Sequence, residues 1–192
     1  MSKEKKDSKT VWVTLDTKLY YAQVFENNRD KNEMHSETDG ITKVTVELDD
    51  EQIEQLKSLG VPETALGYST FKDYDIDGHQ FRGMVLKRPW KSKYLTDDDG
   101  NPRILGAPKV FDFAKAIANA KAADSWRILD EHKEEWPDQL LGNRTKAKVK
   151  ISIYRGKNKA GKPTCVVQLE EIAIVELVPY EGKERDPDEV VF

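Results

Sequence analysis

The sequence predicts a mainly β fold with helical insertions, in the α+β class. Apolar and polar residues alternate along several short segments, which is the pattern of strands with one buried face. Glycine and proline residues separate these segments, as they do at turns. Hydrophobic residues form 38% of the 192-residue chain and charged residues 34%, yet four Trp, seven Tyr and six Phe supply enough apolar surface for a folded core.

The length fits one domain with polar ends. We expect a flexible leader over residues 1–10, a domain over residues 11–180 and a flexible acidic tail over residues 181–192. The leader is rich in lysine, and no run of about 18 apolar residues occurs in the chain, so we expect neither a signal peptide nor a membrane span, and a cytoplasmic location. The single cysteine, Cys165, excludes an intramolecular disulfide and a multi-cysteine zinc site, and we expect it in the core.

The first half predicts two strands and a helix. Residues 11–25 form a first strand or strand pair, in which Val11, Val13 and Leu15 alternate with Trp12, Thr14 and Asp16. Residues 44–48 alternate in the same way. Asp49 or Asp50 then caps a short helix, because apolar residues follow at helical spacing.

The middle predicts a hairpin, a loop and a helical region. Residues 71–86 form a hairpin that turns at Asp77-Gly78, since this dipeptide readily takes the positive φ angles of a tight turn. Residues 87–108 form a long polar connection, and residues 111–136 form the helical insert.

Two strands close the domain. Residues 145–154 alternate strictly, and residues 164–177 form a last strand with a bulge at Glu170-Glu171, where the alternation slips. About five strands with helical insertions and long loops suit a five-stranded barrel of the OB-fold type, whose open strand face and loops bind oligonucleotides.

A basic segment over residues 142–163 carries eight Lys and Arg and no acidic residue, although the chain has a net charge of −4. Because strand side chains repeat every two residues, one face of its first half packs on the core while the other presents Lys146, Lys148, Lys150, Ser152 and Tyr154. Such a face suits a phosphate backbone with stackable bases. Lysines on the solvent face of an edge strand can also serve solubility alone.

A second acid-free stretch over residues 78–94 interleaves cations with aromatic rings. Binding of single strands requires cations along the phosphates and exposed rings on which bases stack. Trp90 could instead close one end of the barrel. We predict that the two regions form one channel for single-stranded DNA, bound largely without sequence preference, through Arg82, Lys87, Trp90, Lys91, Lys93, Tyr94, Lys146, Lys148, Lys150, Tyr154, Arg155 and Lys157.

Catalysis has little support, and we expect no catalytic residue, cofactor or metal. Residues 73–78 imitate the first half of a calcium-binding loop, but position 12 of that loop is Met84. The alternatives left open are a metal-dependent nuclease or phosphodiesterase that uses Asp73, Asp75 and Asp77 or the acidic cluster at residues 97–99, and an adaptor that binds duplex DNA or another protein.

The tail ends in an apolar tip after several acids. Asp186, Asp188, Glu189 and Phe192 can dock on a basic partner by charge steering and a buried ring, or the tail can lie in the chain's own cationic groove and compete with DNA.

Three parts of the chain resemble bacteriophage single-stranded DNA-binding proteins of the OB-fold type: residues 97–112, the closing segments 142–143 and 178–180, and the acidic tail with Phe192. The resemblance implies a replication accessory protein that coats transient single strands during replication, recombination or repair. It also implies recruitment of a polymerase, a helicase-primase or recombination proteins through the tail, in the host cytoplasm if the protein is viral. The oligomeric state stays open, with a dimer among the alternatives.

Overall fold

The structure is a computed structural model that describes residues 9–65, 67–137 and 139–181. It confirms the mainly β prediction, because strands predominate and helices are few. Two α-helices, α1 (Asp50–Ser58) and α2 (Phe113–Ala122), accompany the strands. The strands are β1 (Lys9–Gln23), β2 (Ile41–Leu48), β3 (Thr64–Ala65), β4 (Tyr68–Ser69), β5 (Lys72–Ile76), β6 (His79–Pro89), β7 (Lys91–Thr96), β8 (Pro102–Ile104), β9 (Lys109–Asp112), β10 (Thr145–Lys157) and β11 (Pro163–Glu176).

Seven strands form one mixed sheet in the order β5-β6-β2-β1-β10-β11-β9, with β9 parallel to β11. The other ladders of this sheet are antiparallel. The long strand β1 pairs with β10 from Lys9 to Leu19 and with β2 from Leu19 to Gln23; the β2 ladder shifts register between Tyr20 and Gln23, around Tyr21, which has a φ of 50°. Since a bulge bends a strand, this irregularity bends β1 just after it changes partner.

The predicted five-stranded barrel is not closed by backbone hydrogen bonds in the part of the chain that the structure describes, where the sheet ends at β5 and β9. A side chain joins β6 to β11 instead. Arg88 Nη1 donates to Glu170 Oε2 at 3.0 Å and to the Leu169 carbonyl at 3.3 Å. Its Nη2 donates to the Leu105 carbonyl at 2.9 Å, and its Nε donates to the Gly106 carbonyl at 3.1 Å.

The core lies on the inner face of the bent sheet and is closed by α1. Alternate residues of β10 from Thr145 to Ile153 are buried, as the alternation predicts. Ile53 and Leu56 of α1 pack into the same core. The helix begins where the sequence predicts, because the Asp49 carboxylate accepts from the Gln52 amide and the Gln52 side chain bonds back to the Asp49 amide.

Two local predictions are confirmed. β5 and β6 form a hairpin at Asp77 and Gly78, which have φ angles of 52° and 78°. β11 is bulged at Glu170, since Lys150 pairs with Glu171 while the next residue of β10 pairs with Leu169.

Two predictions of chain course are wrong. The segment 87–108 is not a simple connection, because β6 continues to Pro89 in its ladder with β2 and β7 then pairs with β8. The helical insert predicted over residues 111–136 is helical only in α2 and in one 3-10 turn, Asp130–His132. Its first residues belong to β9, and Asp124, with a φ of 52°, follows the end of α2. None of the described helices is long and apolar enough to cross a membrane.

Candidate nucleic-acid interface

Lys146, Lys148, Lys150 and Tyr154 lie on the outer face of β10 together with Ser152, which is buried, with β1 on one side and β11 on the other. The lysines of its two halves differ in whether a carboxylate lies beside them. In the half near Thr145, Lys146 Nζ lies 3.3 Å from a Glu176 carboxylate oxygen. Lys148 Nζ lies 2.6 Å from Asp16 Oδ1 on β1. Two of the three predicted lysines are therefore already paired with acids.

Lys150 has no carboxylate within 4 Å in the described ranges. Its cross-strand neighbour Glu171 is an acid, but both oxygens of that carboxylate accept from Lys133 Nζ, at 3.0 and 3.2 Å. Burial alone would lower the pKa of Lys133, yet its hydrogen bonds to Glu171 and Asp130 raise the pKa above its ordinary value, so Lys133 stays charged. Because Lys133 occupies Glu171, the charge of Lys150 remains available to a ligand.

Exposed rings lie on the same face as that ammonium group. Lys150 Nζ lies 5.3 Å from the centre of the Trp12 ring, and 57% of Trp12 is exposed. Tyr154 is 43% exposed and pairs directly with Val166, which is 53% exposed. Trp12 pairs with Ser152, so Trp12 and Tyr154 are diagonal neighbours on one face. We name the surface of Trp12, Lys150, Tyr154 and Val166 the β10 patch.

The β10–β11 hairpin adds cations beside the patch. Lys157, Lys159 and Lys162 are exposed there. Arg155 has the phase of the core residues, opposite to Tyr154. Lys157 shares this phase but is exposed, because it lies at the end of β10 where the hairpin begins. A Cβ at Gly60 would lie 2.6 Å from Arg155 Cδ, which places this half-buried side chain against the end of α1. Arg155 and Tyr154 therefore lie on opposite faces of β10, and the predicted role of Arg155 in DNA binding stays a prediction.

The cations predicted on β6 and β7 lie against other elements. Arg82 Nε lies 3.3 Å from Asp73 Oδ1 on the neighbouring strand. Lys87 pairs across strands with Lys43, near the end of β6. Lys91 and Lys93 lie near acidic residues of the segment that connects β1 to β2. Lys91 Nζ is 3.8 Å from Asp39 Oδ2, and Lys93 Nζ is 3.3 Å from Glu37 Oε2.

The two aromatic residues of this stretch differ in exposure. Tyr94 is 85% exposed on β7, with Lys93 Nζ 6.0 Å from its ring centre. Trp90 is half-buried, and the Arg29 guanidinium lies 4.3 Å from the centre of its ring. Arg29 is held by the Glu26 carbonyl at 2.8 Å and the Asp39 carbonyl at 3.0 Å, so one face of Trp90 is covered.

The two predicted regions are linked by a polar chain. Arg88 of β6 donates to Glu170, and Ser152 Oγ of β10 donates to the other oxygen of that carboxylate at 2.8 Å. Ser152 lies next to Trp12 across the β1–β10 ladder. The chain runs from the strand that precedes Trp90 to the β10 patch. The DNA-binding roles of the residues on either side stay predictions.

Trp12 is absent from the residues predicted from the sequence, although a signal for it exists. Trp12 has the outward phase of an amphipathic strand. The buried residues Val13 and Leu15 have the opposite phase, whereas Trp12 shares its phase with polar residues. A large aromatic ring at a solvent-facing strand position indicates a contact surface.

The acidic clusters have structural roles. The Asp97 carboxylate accepts from the backbone amides of Asp99 and Asn101, each at 2.9 Å, and so closes a turn. Asp73 is paired with Arg82. No group of three or more His, Cys, Asp or Glu residues is arranged to hold a metal ion within the described part of the chain.

The tail residues Asp186, Asp188, Glu189 and Phe192 lie outside the described residues, as does most of the predicted leader. Their roles stay predictions. The last described residues return to the domain, where Pro179 forms an isolated bridge with Leu141.

Comparison with solved structures shows a likeness in fold. The crystal structure of gp2.5, a single-stranded DNA binding protein encoded by bacteriophage T7, is similar to this chain, with a TM-score of 0.46 and 17% sequence identity, over 95% of this chain and 99% of that chain. No protein-family model and no curated protein matches the chain. A likeness at this level establishes neither a family nor a function, so function has to be argued from the residues.

Proposed function

We propose that the protein binds single-stranded DNA without catalysis and largely without sequence preference, through the β10 patch. The observation that carries the proposal is the pair of exposed rings, Trp12 and Tyr154, on the same face as Lys150, whose ammonium group lies beside Trp12 and has no carboxylate partner among the described residues. Bases stack on exposed aromatic rings with about 1–3 kcal/mol each, and every base has a face for such stacking. Because paired bases are already stacked on their neighbours, this surface favours an unpaired strand.

The charge beside the patch supports a polyanionic ligand. The hairpin after β10 presents Lys157, Lys159 and Lys162 to solvent, and no acidic residue occurs from residue 139 to residue 169. These cations lie at one end of the patch, where a phosphate backbone that crosses the strands can contact them. Lys146 and Lys148 contribute less, since a phosphate has to displace Glu176 and Asp16 from them.

The finer fold belongs to the same proposal. Strands β1, β2, β6, β10 and β11 form an OB-type barrel in which the seam between β6 and β11 is closed by Arg88 instead of a backbone ladder. Such barrels bind oligonucleotides on an open strand face and adjoining loops.

The cellular role also remains proposed. A protein of this kind coats transient single strands during DNA replication, recombination or repair in the cytoplasm, and in a host cell if it is viral. Its acidic tail, with Asp186, Asp188, Glu189 and Phe192, recruits a polymerase or helicase-primase and competes with DNA for the cationic surface. Removal of residues 181–192 therefore tightens DNA binding.

A fluorescence titration with oligo-dT tests the proposal. We expect the affinity to fall steeply with salt. A plot of log affinity against log salt concentration should have a slope of about −0.7 for each phosphate of the single strand that is neutralised. Duplex and RNA competitors are included, and labelled DNA is incubated with Mg²⁺ or Mn²⁺. Salt-insensitive binding, equal affinity for duplex or cleavage of the strand would contradict the proposal, and cleavage would favour a metal-dependent nuclease.

A substitution at Gly156 tests the position of the Tyr154 ring without a change in charge. A Cβ at Gly156 would lie 2.9 Å from Tyr154 Oη and 3.0 Å from Cε1, so Gly156→Ala displaces the ring. We expect roughly fivefold weaker oligo-dT binding, which corresponds to the lower end of a stacking contribution. The thermal midpoint should stay nearly unchanged because the ring is partly exposed and can move. Unchanged affinity would show that the position of the ring does not matter.

A further inference from the structure

A cleft of about 660 Å³ contains none of the β10 patch residues in its lining and is not used by the surface described above. Three aromatic side chains line it: Phe25 from the β1–β2 connection, Trp90 after β6, and Trp136 after the 3-10 turn. All three are half-buried, so part of each ring faces the open space. Phe25 and Trp136 also pack against the main core, which gives the cleft an apolar floor.

Hydrogen bonds order the backbone at Trp90 and Trp136, and one of them holds the Trp136 ring itself. The Trp90 amide donates to the Gly40 carbonyl at 3.0 Å, and the Trp90 carbonyl accepts from the amides of Leu105 and Gly106 at 2.9 and 3.1 Å. The Trp136 amide donates to the Val110 carbonyl at 2.9 Å, and its indole Nε1 donates to the Gln139 carbonyl at 3.0 Å. A site whose walls are already ordered loses little entropy when a ligand enters.

The charges of the lining select a neutral ligand. Lys109 and Lys133 line the cleft together with Glu26 and Glu135, so ammonium groups and carboxylates are equal in number. The charge of Lys133 is further compensated by Asp130 and Glu171. The cleft therefore has no excess of positive charge with which to hold a free phosphate. Aromatic walls with polar groups at the rim suit a planar ring that carries hydrogen-bonding edges.

We propose that this cleft receives a single base of the bound strand, turned out of line with its neighbours, while its phosphates remain outside. The inference rests on the proposed binding of single-stranded DNA and adds a second contact, distinct from stacking on the open β10 patch. An unpaired base can enter because it has no pairing to break, whereas a base in a duplex must first be extruded.

Fluorescence of the two cleft tryptophans tests the inference. The chain has four tryptophans, and the combined substitutions Trp12→Phe and Trp126→Phe leave Trp90 and Trp136 as the reporters. Oligo-dT is compared with a chain of equal length built from abasic tetrahydrofuran units. We expect oligo-dT to quench the emission and the abasic chain to leave it unchanged at saturation.

Two further variants fill the cleft without removal of a ring. Asn27 and Ala107 both line it, and Asn27→Phe or Ala107→Phe, each made in the reporter background, should abolish the quenching and weaken oligo-dT binding about tenfold. A thermal melt verifies that each variant is folded, and two positions are used so that one misfolded variant does not decide the result. Quenching that persists in a folded filled variant, or equal quenching by the abasic chain, would overturn the inference. Binding of oligo-dT by the Trp12→Phe/Trp126→Phe variant with unchanged emission of Trp90 and Trp136 overturns the base pocket alone, whereas absence of binding by the wild-type protein overturns the proposed function as well.

Discussion

Arg88→Met is expected to lower the free energy of unfolding by about 3 kcal/mol, because removal of one partner from a largely buried ion pair leaves the other charge without compensation. The side chains of Arg88 and Glu170 are only 14% and 17% exposed. The substitution also removes the donors to the carbonyls of Leu105, Gly106 and Leu169, across the seam between β6 and β11. For a chain of this length the thermal midpoint should fall by roughly 6–12 °C.

Arg82→Met is the matched control, since Arg82 lies on the same strand and also pairs with an acid. That pair is exposed, at 52% for Arg82 and 86% for Asp73, and exposed pairs contribute about 0–1 kcal/mol. Calorimetric or denaturant unfolding of both variants measures the two losses of unfolding free energy. Equal losses at Arg82 and Arg88 would show that the seam does not depend on this side chain. A double-mutant cycle with Glu170→Gln would then separate the ion pair from the three carbonyl contacts.

The seam illustrates which parts of the fold a sequence can predict. The strands β1, β2, β10 and β11, the cap of α1 and the turn at Asp77 and Gly78 follow from local patterns and were predicted correctly. The role of Arg88 depends on acceptors from residues 105, 106, 169 and 170, which only the folded chain brings together. In the sequence it is one cation among several in a basic stretch.

The same limit applies to the candidate interface. Alternation along β10 correctly predicts which lysines face outward, because the period of a strand is two. It cannot show that Asp16 of β1 pairs with Lys148, or that Lys133 occupies Glu171 and leaves Lys150 free. It does place Arg155 in the inward phase, opposite Tyr154, but it cannot show that the side chain then packs against the end of α1. Pairing between distant strands decides which charges remain for a ligand.

The largest expected effect on DNA binding comes from the two exposed rings of the β10 patch. Trp12→Ala and Tyr154→Ala should each weaken oligo-dT binding roughly 10- to 100-fold, as expected when one stacked base loses its aromatic partner. Stability should change little, because neither ring belongs to the buried core. Trp12→Phe retains a ring and should restore most of the affinity lost in Trp12→Ala.

Trp126→Ala provides the control for both substitutions. Trp126 is 89% exposed and has the Arg127 guanidinium 5.3 Å from its ring centre, so it offers the same chemistry as Trp12 beside Lys150 but follows α2, outside the patch. We expect unchanged affinity for this variant. The double variant of Trp12 and Tyr154 adds a second test: its loss equals the product of the single losses if the rings contact different bases, and falls short of it if they contact the same base. Affinity that is lost equally at Trp126, or at none of these rings, would contradict binding at the β10 patch.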